Sequence, residues 1–183
     1  MHCEVEDIRL LILDVDGVLT DGRIGYASSL EGEIKFFNVQ DGTGISMLRR
    51  MGFKIAWLSG RQSNANRQRA KELKIDLLHE GCRNKAEGVT EVARHFDVSL
   101  SQCAYIGDDL IDLPAMALVA LPVAVGDAVP EVKKAALWQL ERGGGKGAVR
   151  EFAERLLKAQ GIYDKAVQNY VYDNALPQYR GEQ

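Results

Sequence analysis

Short apolar runs recur along this 183-residue chain, each followed by room for one helix. The first, residues 8–15 (IRLLILDV), is nearly continuous. That suits a strand covered on both faces, as in a parallel sheet. Residues 54–58 (KIAWL), 76–79 (DLLH), 103–106 (CAYI) and 121–125 (LPVAV) repeat the pattern. Amphipathic stretches lie between or after them. Residues 43–51 set Ile45, Leu48 and Met51 on one face, and residues 65–73 are charged with a small apolar stripe. Residues 85–96 carry Val89, Val92, Ala93 and Phe96 at helical spacing; residues 148–159 carry Val149, Phe152, Ala153, Leu156 and Leu157. Strands alternating with helices predict an α/β fold, a three-layer sandwich around a central parallel sheet. The length suits one domain with its own core. We expect that domain over residues 1–162, followed by a polar C-terminal tail over 163–183 that carries scattered tyrosines.

One connection breaks the alternation. From Val15 to the helix near Thr43 the chain is far longer than an ordinary strand-to-helix loop. It holds Gly22, Gly25 and Gly32, with strand-like pieces at 23–26 and 33–37. The expected element is a β-hairpin projecting from the C-terminal edge of the sheet; a plain surface excursion is the alternative.

The charge balance narrows the partners. A formal net charge of -3 disfavours a nucleic-acid binder, which shows a basic face. It leaves an anionic small molecule open, because a few local cations suffice. Cys3, Cys82 and Cys103 form neither a disulfide framework nor a zinc cluster, and suit free thiols in a reducing compartment. The first residues, MHCEVED, lack an apolar signal core, and the apolar run at residues 10–13 is far too short to span a membrane. A cytoplasmic protein is expected. His2, His79 and His95 are scattered without a nucleophile partner. The RGGGKG string at 142–147 lacks the spacing and hydroxyl of a P-loop, and reads as a flexible loop whose Arg142 and Lys146 either face the active site or do not.

The chemistry concentrates where apolar runs end. In LLILDVDGVLTDG, Asp14 and Asp16 follow the first strand, and ligands of open α/β sheets bind beyond the carboxyl ends of strands. Carboxylates placed there must be paired or ligate a metal. Gly17 permits a sharp turn. A helix cap is the alternative role for either aspartate alone.

Asp14-Val15-Asp16-Gly17-Val18 resembles the first motif of the haloacid dehalogenase superfamily of phosphatases. Ser59-Gly60-Arg61 after an apolar strand resembles the second, Lys85 at a helix start the third, and Gly107-Asp108-Asp109 with Asp112 the acidic fourth. The resemblance implies a Rossmann-like fold and hydrolysis through an aspartyl-phosphate on Asp14. Asp16 is expected across the chain from Asp14, protonating the leaving alkoxide and then activating water. Mg²⁺ is implied, held by Asp14, Asp108 and the backbone carbonyl of Asp16, with Asp109 and Asp112 as auxiliary carboxylates. Ser59 and backbone N–H groups near Gly60 offer hydrogen bonds to phosphate, and Lys85 a compact positive charge.

The segments between motifs hold no room for a separate cap domain. DVDGVLTDG, FFNVQDGTGISMLRRMG, SGRQS, AYIGDDLIDLPAM and GGGKGAVRE narrow the resemblance to capless sugar-acid phosphatases. The implied substrate is 3-deoxy-D-manno-octulosonate 8-phosphate, a lipopolysaccharide precursor, or a nonulosonate 9-phosphate. Arg61, and secondarily Arg69, are the expected contacts for its carboxylate. Gln40 stands where that family often has arginine. A homotetramer built through the hairpins, with a neighbouring subunit roofing each site, is implied in turn. A catalytically idle oligomerisation module is the competing reading, disfavoured by the intact Asp14, Asp16, Ser59, Lys85 and Asp108.

Overall fold

The computed structural model describes residues 5–26 and 32–174. In chain order its elements are β1 (Leu10–Leu13), β2 (Gly25–Tyr26), β3 (Glu33–Ile34), α1 (Val39–Arg50), β4 (Lys54–Ser59), α2 (Asn64–Glu72), β5 (Leu77–Glu80) and α3 (Lys85–His95). There follow β6 (Cys103–Gly107), α4 (Leu113–Met116), β7 (Leu121–Ala124), α5 (Pro130–Ala135), β8 (Trp138–Gln139), α6 (Ala148–Ala159) and α7 (Tyr163–Asn174). Six strands form one parallel sheet in the order β5-β4-β1-β6-β7-β8. β1 and β6 are wholly buried, which is why their sequences read as unbroken apolar runs. Among the described residues there is no separate cap domain.

The strand order sets the site. The chain builds outward from β1 through β4 to β5, then returns to the other side of β1 for β6, β7 and β8. Such a reversal opens a crevice at the carboxyl ends of the strands flanking it. Leu13 is in register with Trp57 on β4 and Ile106 on β6, so Asp14, Leu58 and Gly107 emerge level with one another. β2 and β3 pair antiparallel, as the hairpin reading expects; its tip, residues 27–31, lies outside the described residues.

Differences from the sequence reading have local causes. α1 begins at Val39 rather than near Thr43, because the Asn38 side chain accepts from the Gln40 N–H at 2.8 Å and caps it there. Its first turn carries exposed Val39 and Gln40, so no apolar stripe marks it. β8, α4 and α5 are too short to show a period. Part of the segment read as a polar tail is the helix α7. Tyr163, Ala166, Val167 and Tyr170 recur at helical spacing and pack on the core, with Ala166 fully buried. Arg50 fixes it, donating to the Tyr170 carbonyl at 2.9 Å and stacking over the Tyr170 ring.

α1 crosses α6 at close range, and Gly44 permits it. A Cβ there would lie 2.9 Å from the Arg150 Cα and 3.2 Å from the Ala153 Cβ. Gly44→Val should therefore lower stability by about 1–3 kcal/mol in equilibrium urea denaturation, outweighing the gain in helix propensity. Unchanged or raised stability would show that the two helices are free to move apart.

Candidate active site

Asp14 follows β1 and is almost fully buried. A buried carboxylate needs a partner, and Lys85 at the first turn of α3 reaches it. The Lys85 ammonium donates to Asp14 Oδ1 at 2.6 Å and to the Leu58 carbonyl at 2.6 Å, and lies 3.6 Å from Asp112 Oδ1. The Val15 N–H also donates to Asp14 Oδ1, at 2.7 Å. The placement of Lys85 comes from Asn84, whose side chain caps α3 by accepting from the Glu87 N–H.

Asp108 follows β6 with its Oδ1 buried and unpartnered among the described residues. Carboxylate oxygens of Asp14, Asp108 and Asp112 come within 4.8 Å of one another. Burial, then the Asp112 charge, raises the pKa of Asp14 against the opposing pull of Lys85. Burial, then the charges of Asp14, Asp112 and Asp109, pushes Asp108 up to about 8. Crowded, poorly solvated carboxylates with an orphaned oxygen form a seat for a hard cation.

Asp112 is committed elsewhere. Its Oδ1 accepts from the Tyr105 hydroxyl at 2.6 Å, and its Oδ2 accepts from the Asp108 N–H at 2.9 Å and the Asp109 N–H at 3.3 Å. It thereby fixes the backbone that carries Asp108. Asp109 is exposed and caps the short turn at Leu110–Asp112 through the Leu110 N–H. Gly17 is required by proximity as well as by its φ of 94°: a Cβ there would lie 2.0 Å from Asp108 Oδ2.

Asp14, Asp16, Gly60, Arg61, Asp108 and Asp109 line one cleft of about 280 Å³. Asp16 lines the same cleft as Asp14 instead of lying across the chain from it as expected, because residues two apart on an extended chain share a face. The backbone then turns after Val15, whose carbonyl accepts from Leu19 and Thr20. Ser59 ends β4 fully buried, its hydroxyl accepting from the Arg61 N–H at 3.1 Å. The structure does not bring Arg69 to this group. Its guanidinium pairs with Glu72 at 3.1 Å and borders a separate hollow of about 190 Å³ beside Phe37. The glycine-rich segment packs beneath the site: the Gly145 N–H donates to the Val18 carbonyl, and a Cβ on Gly144 would lie 1.8 Å from the Gly17 oxygen. Its cations are engaged elsewhere, Arg142 with Gln40 and Lys146 with Asp127.

Three neighbours escape sequence reasoning. Tyr105 lies within an apolar strand and reads as core. Glu33 and Lys35 sit in the hairpin, where charged residues usually face water. Lys35 Nζ pairs with Asp16 Oδ1 at 2.7 Å, and Glu33 holds Arg61 at 2.9 Å. Only their shared face, two residues apart on an extended strand, hints at a common target.

The crowding has a measurable consequence. A carboxyl whose pKa is higher in the folded state stabilises the fold fully below its unfolded value and loses that contribution as pH rises through its folded value. For Asp108 the window runs from 3.8 to about 8. In chelator, melting of wild type should fall relative to Asp108→Asn between about pH 5 and pH 8. A divalent cation added at the upper end should recover wild type more than the variant. Parallel melting curves across that range would refute the crowding.

Comparison with known proteins gives the family. Residues 55–147 match the haloacid dehalogenase-like hydrolase family. The chain is 43% identical over 169 residues to the 3-deoxy-D-manno-octulosonate 8-phosphate phosphatase of Haemophilus influenzae, covering 91% of this chain and 93% of that protein. It is 42% identical to the Escherichia coli K12 enzyme of the same name, over 89% of this chain and 86% of that one. Among solved structures, the phosphatase of that name from Moraxella catarrhalis, in complex with magnesium, phosphate and KDO, superposes with a TM-score of 0.87. It is 37% identical, covering 91% of this chain and 95% of that chain. The cobalt-bound Haemophilus influenzae structure gives a TM-score of 0.86 at 41% identity, over 91% of this chain and 98% of that one. The chain belongs to the haloacid dehalogenase superfamily, within the family of the 3-deoxy-D-manno-octulosonate 8-phosphate phosphatases.

Proposed function

We propose that this protein is a Mg²⁺-dependent phosphoric monoester hydrolase that releases phosphate from 3-deoxy-D-manno-octulosonate 8-phosphate, in the supply of lipopolysaccharide precursor. The observation that carries the chemistry is the buried Asp14, clamped by Lys85 at 2.6 Å beside the orphaned oxygen of Asp108. The substrate rests on the likeness to enzymes of that name at about 42% identity across most of the chain.

In this reading the Asp14 carboxylate attacks phosphorus and the bond from phosphorus to the sugar oxygen breaks. Asp16 gives its proton to the departing alkoxide. Asp16 then takes a proton from water as that water attacks the aspartyl-phosphate, releasing phosphate and restoring Asp14. Lys85 offsets the negative charge of Asp14 and of the phosphoryl oxygens. Ser59 and the Gly60 N–H bind those oxygens, the Arg61 N–H holds the Ser59 hydroxyl, and the Arg61 guanidinium, half exposed and shared with Glu33, meets the sugar carboxylate. Asp14, Asp108 and the Asp16 carbonyl would hold Mg²⁺, which supplies the charge that lets an anionic nucleophile approach an anionic phosphate. Asp109 and Asp112 serve this group from behind, Asp112 through the backbone that carries Asp108.

A cytoplasmic homotetramer completes the proposal. No helix among the described residues is long and apolar enough to cross a membrane. Tyr26, Phe36 and Val39 expose apolar side chains on and beside the hairpin, and Leu110 and Ile111 do so near the cleft mouth. Neighbouring subunits would cover these groups and exclude water from sites that lack a cap.

Three outcomes are expected. Across a panel of sugar phosphates, phosphate release should be fastest with the octulosonate ester and should vanish reversibly in chelator; preference for a nonulosonate ester would reassign the substrate. Asp14→Asn should fold yet lose roughly 10⁴-fold or more in kcat; a folded variant near wild-type rate would exclude Asp14 as nucleophile. Sedimentation at assay concentration should give a tetramer, and an active monomer would remove the roofing role of the neighbours.

A further inference from the structure

The hairpin presents a second buried cation that the reaction as described does not use. Glu33, Lys35 and Phe37 alternate onto the inward face of the strand, while Phe36 points out and is 73% exposed. Phe37 anchors that face by stacking on Trp57 of β4, with ring centroids 6.0 Å apart. Beside this anchor the Lys35 side chain is 0% exposed, and its ammonium lies 2.7 Å from Asp16 Oδ1 and 3.5 Å from Glu33 Oε2, as ion pairs without hydrogen-bond geometry. Glu33 in turn holds the half-exposed Arg61 at 2.9 Å. An ammonium taken wholly out of water is costly unless its charge is matched. Here two carboxylates match it, and one of them borders the cleft.

We infer that Lys35 is a positioning residue for Asp16, and that the hairpin aims the proton donor of the reaction. This rests on the reading of Asp16 as acid and base given above. A carboxyl on a turn has rotational freedom, and proton transfer requires it within hydrogen-bond reach of the leaving oxygen. The Lys35 charge draws Asp16 Oδ1 toward the hairpin by ion pairing and so leaves the other oxygen to carry the proton. That proton moves to the sugar oxygen as its bond to phosphorus breaks. The same ionic chain, from Asp16 through Lys35 and Glu33 to Arg61, ties the aim of the acid to a cation that lines the cleft. The contact also gives the hairpin a task within its own subunit, separate from any assembly role.

The test uses leaving-group dependence. A sugar alkoxide must be protonated as it leaves, whereas p-nitrophenolate departs without help. kcat/KM reports only steps through the first irreversible one, so the later need for a base does not enter. Lys35→Met should lower kcat/KM for the sugar phosphate by about 100-fold and for p-nitrophenyl phosphate by no more than about threefold. Asp16→Asn, measured alongside, should show the same split and larger losses. Lys35→Gln, which keeps a polar head in the slot, serves if the Met variant fails to melt cooperatively. Equal losses on both substrates, or none on either, would overturn the positioning role, as would an Asp16→Asn variant that shows no split. Wild type inactive on every phosphate monoester would instead overturn the hydrolase reading.

Discussion

The buried ion pair between Lys85 and Asp14 is the contact on which the rest of the site depends. Asp14, Asp108 and Asp112 could not share one strand edge, largely out of water, without a positive charge among them. Lys85 supplies it, and its bond to the Leu58 carbonyl holds the ammonium at the end of β4. Removing one partner of such a buried pair typically costs about 3–5 kcal/mol, because the other charge is left uncompensated. Even so, one lysine does not neutralise three carboxylates. Burial first, and then the uncompensated charge of the neighbouring carboxylates, pushes Asp108 up to about 8, and such a cluster is receptive to a divalent cation.

The fold produces this crowding by simple means. Parallel strands in register end at one level, so Asp14 emerges beside Leu58 and Gly107, one residue before Ser59 and Asp108 on their strands. Glycines then allow approaches that a side chain would block. Gly17 yields its place to the Asp108 carboxylate, and Gly144 packs against the backbone of Gly17 from behind. Gly107 does the same for Asp112, since a Cβ there would lie 2.6 Å from the Asp112 Cβ. The loop that carries Asp14, Asp16 and Gly17 is thus held between the acidic turn and the glycine-rich segment. Little backbone motion is left to Asp14, which in the proposed mechanism must meet phosphorus in line.

Much of this architecture is legible in the sequence because its signals are periodic or terminal. The apolar runs at β1, β4, β6 and β7 read as covered strands, and α6 shows its whole apolar stripe, so its bounds coincide with residues 148–159. The acidic pairs and the Lys85 helix start are legible for a different reason: charge at the end of an apolar run has few physical explanations. What escapes is decided by tertiary contact. Lys35 looks like any hairpin lysine until the strand folds back over Asp16. Arg69 looks available until Glu72, one helical turn on, takes it. Tyr105 reads as core because its hydroxyl finds Asp112 only through the turn after β6. The helix α7 hides behind a stripe of tyrosines and one alanine, too weakly apolar to stand out by composition.

The proposed mechanism requires that Asp14 become covalently phosphorylated during turnover. Rapid acid quench of the enzyme with substrate radiolabelled in its phosphate tests it directly, followed by digestion and mapping of the label. The account predicts label on the peptide that carries Asp14, formed within a single turnover and lost to water at the rate of steady-state hydrolysis. Full turnover with no label on the protein at any quench time, or label confined to another residue, would contradict it.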